Sequence, residues 1–328
     1  MASGITTYAI GMRTTFRGIT VRQGMVWRGS AGWAEWSPFL DYAGDELVPW
    51  WWAAYEAAEE GWPEPVRRLV DVNCTIPAVV PGVAHRLTAE SGCQTAKVKV
   101  AERGQSLADD LERVEAVRDA LGAAGRVRID ANGGWSVDAA ERAVRSLYRF
   151  ELEYVEQPCA TVVELADLRR RLARAGIDVL IAADESIRRS DDPYRVAELA
   201  AADIAVLKVQ PLGGVRACLE IAERIGLPIV VSSALETSIG IRAGLALAAA
   251  LPELPYACGL NTVALLADDL VNVPLLAHQG QLPVEALQVD ESRLDRYAAD
   301  ETTDAFWQAR LVMVQERASR TVRRHAGG

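Results

Sequence analysis

The chain has 328 residues, half of them hydrophobic, and a formal net charge of −10. That length and apolar content suit a large domain with its own core, because barrels of about 250 residues are common as one unit. The acidic balance argues against a general nucleic-acid binder, whose footprint is basic. Five scattered cysteines, never spaced Cys-x-x-Cys, argue against a disulfide framework or a zinc site.

Met1 to Arg17 shows neither the apolar core nor the cleavage pattern of a signal peptide, so a cytoplasmic protein is expected. The first 65 residues hold seven of the nine tryptophans. Alternation in Ile19–Trp27 predicts antiparallel strands, the stretch from Gly24 to Pro38 is rich in turns, and Trp50–Gly61 reads as a helix behind Pro49. An α+β capping domain over residues 1–68 is expected, with its tryptophans read as packing rather than as a substrate lid.

From about residue 70 short apolar runs alternate with amphipathic stretches. The predicted strands are Asp71–Thr75, Ala96–Val100, Val127–Asp130, Tyr154–Glu156, Leu180–Asp184, Ile204–Val209, Ile229–Ser232 and Tyr256–Gly259. Helices are expected over Leu107–Leu121, Val137–Arg149, Val162–Ala175 and Val215–Ile225. Thr161-x-x-Glu164 is a capping-box signal, and Pro193 after Asp192 marks a first helical turn. Eight strands separated by helices predict a parallel α/β architecture over residues 69–264. A closed TIM-type barrel is preferred to an open doubly wound sheet, because no Gly-x-Gly-x-x-Gly follows the early strands. The apolar run Ile239–Leu251, interrupted by Arg242, is too short to span a bilayer and reads as a buried helix. Residues 265–328 are expected to return to the cap, ending in a solvated tail with Arg317, Arg320, Arg323 and Arg324.

Polar residues recur at the ends of these strands. Lys99, Asp130, Glu156, Asp184, Lys208 and Ser232 are separated by 31, 26, 28, 24 and 24 residues, one βα unit each time. In a (β/α) barrel such positions share the C-terminal rim, where active sites sit. Within Ala96-Lys97-Val98-Lys99-Val100 the lysines share one face of the strand and the apolar residues the other. Both ammonium groups therefore point into the barrel, with Lys99 nearer the mouth. Buried there, they need carboxylates or ligands as partners. For Lys97 a structural ion pair and a functional role remain equally open.

Asp130, Glu156 and Asp184 come from three adjacent strands, and three carboxylates at close quarters repel unless protons or a cation intervene. An all-oxygen donor set selects a hard ion such as Mg²⁺, with Mn²⁺ as a substitute. None of the three histidines, His85, His278 and His325, falls in the rim series, which disfavours zinc or a histidine base. A hard cation flanked by Lys99 and Lys208 suits proton removal beside a substrate carboxylate, because nearby positive charge lowers a lysine pKa toward the working range. The partner expected is a small-molecule carboxylate, with no nucleic acid or membrane. The oligomeric state is not legible.

Lys97-Val-Lys99, Asp130-Ala-Asn132, Glu156-Gln-Pro158, Asp184-Glu-Ser186 and Leu207-Lys208 followed by Gly213-Gly214 resemble the muconate-lactonizing-enzyme subgroup of the enolase superfamily. Gly32-Trp33-Ala34-Glu35 and Ser37-Pro38-Phe39 resemble its capping domain. The runs Ser91–Val100, Tyr154–Cys159, Asp184–Arg188, Ile204–Val215 and Ser232–Gly240 resemble the actinobacterial o-succinylbenzoate synthases of menaquinone biosynthesis. The resemblance implies an enolase-type (β/α)7β-like barrel in which Asp130, Glu156 and Asp184 hold Mg²⁺. Lys99 is then the base, and Lys208 the opposing cation that stabilises an enediolate. The implied reaction is dehydration of 2-succinyl-6-hydroxy-2,4-cyclohexadiene-1-carboxylate to 2-succinylbenzoate. Asn132 and Glu185 are implied to orient the ligands. Ser232, Ser233 and the Gly213-Gly214 turn are read either as a succinyl-carboxylate site or as turn chemistry. An N-succinylamino acid racemase shares both lysines and is the rival within the family. A Schiff-base aldolase using Lys208 leaves the three carboxylates unexplained, and decay to a scaffold protein conflicts with the complete charged set.

Overall fold

Thr6–Phe16 (β1) pairs antiparallel with Ile19–Arg28 (β2), and β2 with Trp33–Trp36 (β3), forming a three-stranded sheet. This is the hairpin expected from the alternation at Ile19–Trp27. A computed structural model describes residues 4–189 and 192–326, the last six of these by backbone alone. Leu47–Tyr55 (α1) follows, beginning ahead of Pro49, which sits in the first turn where its missing N–H costs nothing. The helix continues through a π-turn at Glu56–Glu60.

The chain then enters a parallel sheet. Cys74–Ile76 (β5), Thr95–Lys99 (β6), Arg126–Asp130 (β7), Leu152–Glu156 (β8), Leu180–Ala183 (β9), Ile204–Lys208 (β10) and Ile229–Ser232 (β11) lie in sequence order. An extended segment at 256–260 joins its two ends. Val72 bridges Cys258 and Ser232 bridges Gly259, and the Gly259 amide donates to the Val231 carbonyl at 2.8 Å. The eighth expected strand is thus a bridging segment of isolated ladder contacts. The first is divided. Leu69–Asp71 (β4) turns away to pair antiparallel with Gln281–Pro283 (β12), while Val72 bridges the closing segment and Cys74–Ile76 pairs with β6. Burial explains the split: Leu69 and Asp71 are exposed around buried Val70, the mark of a one-faced strand, while Cys74, Thr75 and Ile76 are all buried.

Between the strands run Pro81–Glu90 (α2), Leu107–Leu121 (α3), Val137–Leu147 (α4), Val162–Arg174 (α5), Val215–Ile225 (α9) and Ser238–Ala250 (α10). Ser106, Ser136 and Thr161 cap α3, α4 and α5 by accepting from the N3 amide, and the Thr161–Glu164 box forms as expected. Short helices Glu185–Arg188 (α6), Arg195–Glu198 (α7) and Val209–Leu212 (α8) occupy the rim and loops. Pro193 does not open a helical turn. It lies in the turn before α7, where Asp192 accepts from the Tyr194 amide at 3.0 Å.

Ala96, Val98 and Val100 pack outward into one core shared with the flanking helices, while Tyr154, Ala182, Ile204, Val206 and Val230 fill the barrel's interior below the rim. A second core forms in the cap. Trp36, Trp50 and Trp307 are fully buried there, with the Trp36 and Trp307 rings edge to face at 5.6 Å. Trp307 belongs to Glu301–Ala326 (α12), preceded by Glu291–Arg296 (α11). The expected solvated tail is therefore largely helix. Trp307, Leu311, Val314 and Ala318 are buried along α12, and Arg317 pairs with Asp45 at 2.6 Å. Arg320 is exposed, and the side chains of Arg323 and Arg324 lie outside the described residues.

Cap and barrel are joined by buried charge. Glu35 on β3 accepts from the Tyr8 and Ser37 hydroxyls and from the Thr237 and Gly240 amides at the start of α10. Arg22 on β2 donates to the Leu235 and Ala234 carbonyls in the loop after β11. No helix among the described residues is long and apolar enough to cross a membrane.

Candidate active site at the strand ends

Lys99, Asp130, Glu156 and Lys208 are the last residues of β6, β7, β8 and β10, and Asp184 follows β9 directly. Register aligns Lys99 with Asp130 and Asp130 with Glu156, so three side chains meet on one rim. All are buried.

The pairing is specific. Lys99 Nζ donates to Asp130 Oδ2 and, at 2.8 Å, to Asn132 Oδ1. Lys97 Nζ sits one layer down, 2.8 Å from Glu156 Oε1 and 3.2 Å from Asp130 Oδ2. Across the mouth Lys208 Nζ donates to Asp184 Oδ2 at 2.6 Å. Asn132, in the left-handed region at φ 46°, a conformation asparagine tolerates, returns its own amide to Asp130 Oδ1 at 3.0 Å.

These surroundings drive the two β6 lysines apart. Burial alone would favour neutral Lys97, but the Glu156 and Asp130 carboxylates outweigh it and hold the ammonium well above its ordinary 10.5. At Lys99 burial wins. Asp130 opposes it, but positive charge on Lys97 and Arg17 adds to the depression, and the pKa falls below 10.5. The carboxylates diverge as well. Burial would raise Asp130 and Asp184, yet Lys99 and Lys97 hold the first well below the usual range, and Arg188 and Lys208 do so for the second. Glu156 is pushed up to about 7 by burial and by its neighbours Asp130 and Asp184.

As the side chains stand, each carboxylate is turned onto an ammonium. Among the described residues no three His, Cys, Asp or Glu groups are gathered as a preformed metal cage. The donor chemistry nevertheless fits a hard cation. Three carboxylates project from adjacent strand ends, and Glu156 Oε2 is buried with no hydrogen-bond partner. An orphaned carboxyl oxygen beside two further carboxylates is costly unless a proton or a cation joins it, and a bound cation would satisfy all three groups.

The other expected site residues are placed unevenly. Asn132 Nδ2 donates to Glu185 Oε1 at 3.1 Å, so these two form one link behind the rim. Ser232 and Ser233 line a small cavity of about 30 Å³ with Lys97, Lys99 and Lys208. Ser233 is anchored to the Gly259 carbonyl and the Thr262 hydroxyl, both at 2.8 Å. The Gly213-Gly214 turn does not join this group. Glu56 from the cap accepts from the Val215 and Arg216 amides at 2.5 and 3.1 Å, so a protein carboxylate already occupies the α9 N-terminus. Gly214, at φ 123°, is needed there because a Cβ would lie 2.5 Å from Glu56 Oε2.

Several contributors were not assigned from sequence. Gln157 accepts from the Asp184 and Ser186 amides at 3.0 and 3.1 Å, fixing the turn that presents Asp184. Arg188 grips Asp184 Oδ1 at 2.9 Å. Phe16, at the end of β1, lies 5.4 Å beneath the Lys99 ammonium, and Arg17 and Phe39 line both the small cavity and a larger one of about 360 Å³ beside the cap. The Glu156-Gln-Pro motif was a signal for Gln157. Nothing local signals contacts made by the cap.

Comparison with known proteins adds an independent line. Residues 82–288 match the family described as Enolase C-terminal domain-like, and residues 7–58 the one described as Enolase N-terminal domain-like. The chain is 64% identical over 304 residues to an o-succinylbenzoate synthase of Thermobifida fusca (strain YX), with 93% of each chain covered. It is 52% identical to an o-succinylbenzoate synthase of Mycolicibacterium smegmatis, with 91% of each covered. In fold it is similar to the muconate lactonizing enzyme from Pseudomonas fluorescens, with a TM-score of 0.76 at 20% identity, over 91% of this chain and 99% of that one. Rim geometry, domain matches and near-complete coverage at such identity agree: the chain belongs to the o-succinylbenzoate synthase family of the enolase superfamily, lyases that work with a divalent metal ion.

Proposed function

We propose that the rim site removes the proton beside the carboxylate of 2-succinyl-6-hydroxy-2,4-cyclohexadiene-1-carboxylate and expels the ring hydroxyl, giving 2-succinylbenzoate. The observation that carries this reading is geometric: Lys99 and Lys208 meet Asp130 and Asp184 from opposite sides of one buried rim, with Glu156 between them and Lys97 a layer below. Lys99 takes the α-proton and hands it to the departing hydroxyl, so the leaving group exits as water and the ring becomes aromatic. Lys208, on the far side of the carboxylates, supplies positive charge where the enediolate develops. Asp130, Glu156 and Asp184 hold the ion, taken as Mg²⁺ with Mn²⁺ as substitute. When bound, it supplies Lewis-acid neutralisation of the substrate carboxylate. Lys97 balances the charge of Glu156 and Asp130, and Asn132 aims Lys99. Ser232 and Ser233 face the same cavity and are the groups best placed for the substrate's polar tail. In this reading residues 1–68 and 265–328 form the cap, and 69–264 the barrel that carries the chemistry.

The test is direct. Purified protein is assayed with the cyclohexadiene carboxylate and, separately, with N-succinylamino acids, before and after EDTA treatment and on Mg²⁺ add-back. Metal-dependent formation of 2-succinylbenzoate is expected. Metal-dependent racemisation alone would replace the substrate assignment, and turnover unaffected by EDTA would sink the mechanism.

A further inference from the structure

Arg188 has no part in the reaction as derived so far, yet its guanidinium joins two acidic residues of the rim to the cap. Its side chain is 3% exposed. Nε donates to Asp184 Oδ1 at 2.9 Å, Nη2 to Glu185 Oε1 at 2.6 Å, and Nη1 to the Tyr42 hydroxyl. Spacings of four and three residues stack Asp184 and Glu185 under residue 188 across the single turn of α6.

Two of these arms continue to the lysines. Asp184 passes its other oxygen to Lys208 at 2.6 Å. Glu185 Oε1 also accepts from Asn132 Nδ2 at 3.1 Å, and Asn132 Oδ1 accepts from Lys99 Nζ at 2.8 Å. One guanidinium thus connects to Lys208 through one residue and to Lys99 through two, without a gap in hydrogen bonding. The third arm ends in the cap, where Tyr42 is held firmly. Its ring meets Trp50 edge to face at 5.1 Å, the Arg189 guanidinium lies 4.2 Å from the ring centre, and its carbonyl accepts from Arg310 Nη2 at 2.9 Å.

We propose that Arg188 is a positioning residue that presents Asp184 and Glu185 in the geometry needed for cation binding and lysine alignment, and that it makes this geometry depend on docking of the cap through Tyr42. The proposal rests on the metal-dependent reading above. A rigid planar fork suits the task, because its donors reach two carboxylates and a phenol from fixed, well-separated positions, whereas an ammonium is a compact, freely rotating point charge. With Oδ1 held by Arg188 and Oδ2 by Lys208, the Asp184 carboxylate is fixed in one orientation at the rim, where it would help to hold a cation. Without Arg188, Lys208 is the only remaining cation on Asp184 among the described contacts, and both oxygens are free to rotate onto it.

The test uses the full chain and two readouts. Mn²⁺ affinity is measured without substrate from the resonance of the free ion, and kcat and KM are measured with the cyclohexadiene carboxylate. Arg188→Gln is expected to weaken Mn²⁺ binding and lower kcat by about 10- to 100-fold each, the usual cost of losing a group that orients a ligand, with KM shifted much less. Arg188→Lys is expected to recover part of both. Tyr42→Phe, which removes one hydrogen bond and keeps the ring packing, is expected to lower both by about fivefold. Mn²⁺ affinity within about twofold of wild type in Arg188→Lys and Tyr42→Phe overturns the proposal, as does a kcat loss that merely tracks a lowered thermal midpoint. These two variants decide the matter if Arg188→Gln does not fold. Wild-type protein that binds Mn²⁺ but turns over no cyclohexadiene refutes the substrate reading alone, and the Mn²⁺ affinities still judge Arg188.

Discussion

Lys99→Ala is expected to lower kcat by about 10⁴-fold, the upper end of what a positioned general base contributes, while the protein stays folded and binds its metal. The fold survives because Asp130 is not orphaned by the change. Lys97 Nζ remains 3.2 Å from Asp130 Oδ2, and the Asn132 amide still donates to Oδ1. No other amine can take over the proton. Lys97 lies one layer deeper and is held cationic by Glu156 and Asp130, and Lys208 is bound to Asp184 across the mouth. The wild-type pH profile follows from the same tuning. The base works as the neutral amine, and burial moves Lys99 below 10.5. Turnover should therefore rise with pH and level off before pH 10.5, whereas an unshifted lysine would still be gaining there. Rapid-quench and steady-state rates of Lys99→Ala beside its circular dichroism settle the point. Activity within about tenfold of wild type would take the base role from Lys99.

The second large effect concerns stability. Arg128→Met is expected to destabilise the protein by about 3–5 kcal/mol, the usual result of removing one partner from a buried ion pair. Arg128 is fully buried in the barrel interior. Its Nε donates to Glu153 Oε2 at 2.5 Å, and its Nη1 donates to the Ala257 carbonyl at 2.7 Å and to Asn73 Oδ1 at 3.2 Å. The guanidinium also lies 4.7 Å from the Tyr154 ring centre. These contacts draw together β7, β8, the residue before β5 and the segment that joins the two ends of the sheet. Methionine fills much of the volume but leaves Glu153 only the outer Arg126 guanidinium at 3.5 Å, and it takes the donor from the Asn73 and Ala257 oxygens. The double variant Arg128→Met/Glu153→Gln, which discards the charge on both sides, should recover part of the loss. Urea unfolding midpoints for the set measure this. A single variant as stable as wild type would show that the sheet closes without Arg128.

Much of the scaffold was legible because it is locally encoded. The period-two pattern Ala96-Lys97-Val98-Lys99-Val100 sets which side chains face inward, and in the structure the apolar residues do pack against the helices while the lysines meet carboxylates. The Thr161–Glu164 cap and the βα period needed no tertiary information. Other features were not local. Asp71–Thr75 divides between two sheets because Leu69–Asp71 finds a partner at Gln281–Pro283, more than two hundred residues away. The Arg-rich end becomes helix because Trp307, Leu311 and Val314 find the cap core, which no nearby residue supplies. The Gly213-Gly214 turn looks like an anion site until Glu56 arrives from the cap to fill it.

Lysine and carboxylate at the ends of successive strands, one βα unit apart, are determined by the sequence alone, because strand register and the barrel's common rim leave such residues nowhere else to go. Which of two inward lysines is driven toward neutrality is a different kind of fact. It depends on burial and on distances to Glu156, Asp130 and Arg17, and electrostatic energy varies with separation and dielectric rather than with position along the chain. The Arg188–Tyr42 contact, across 146 residues, belongs to that second class. Only the folded chain brings the cap to the rim.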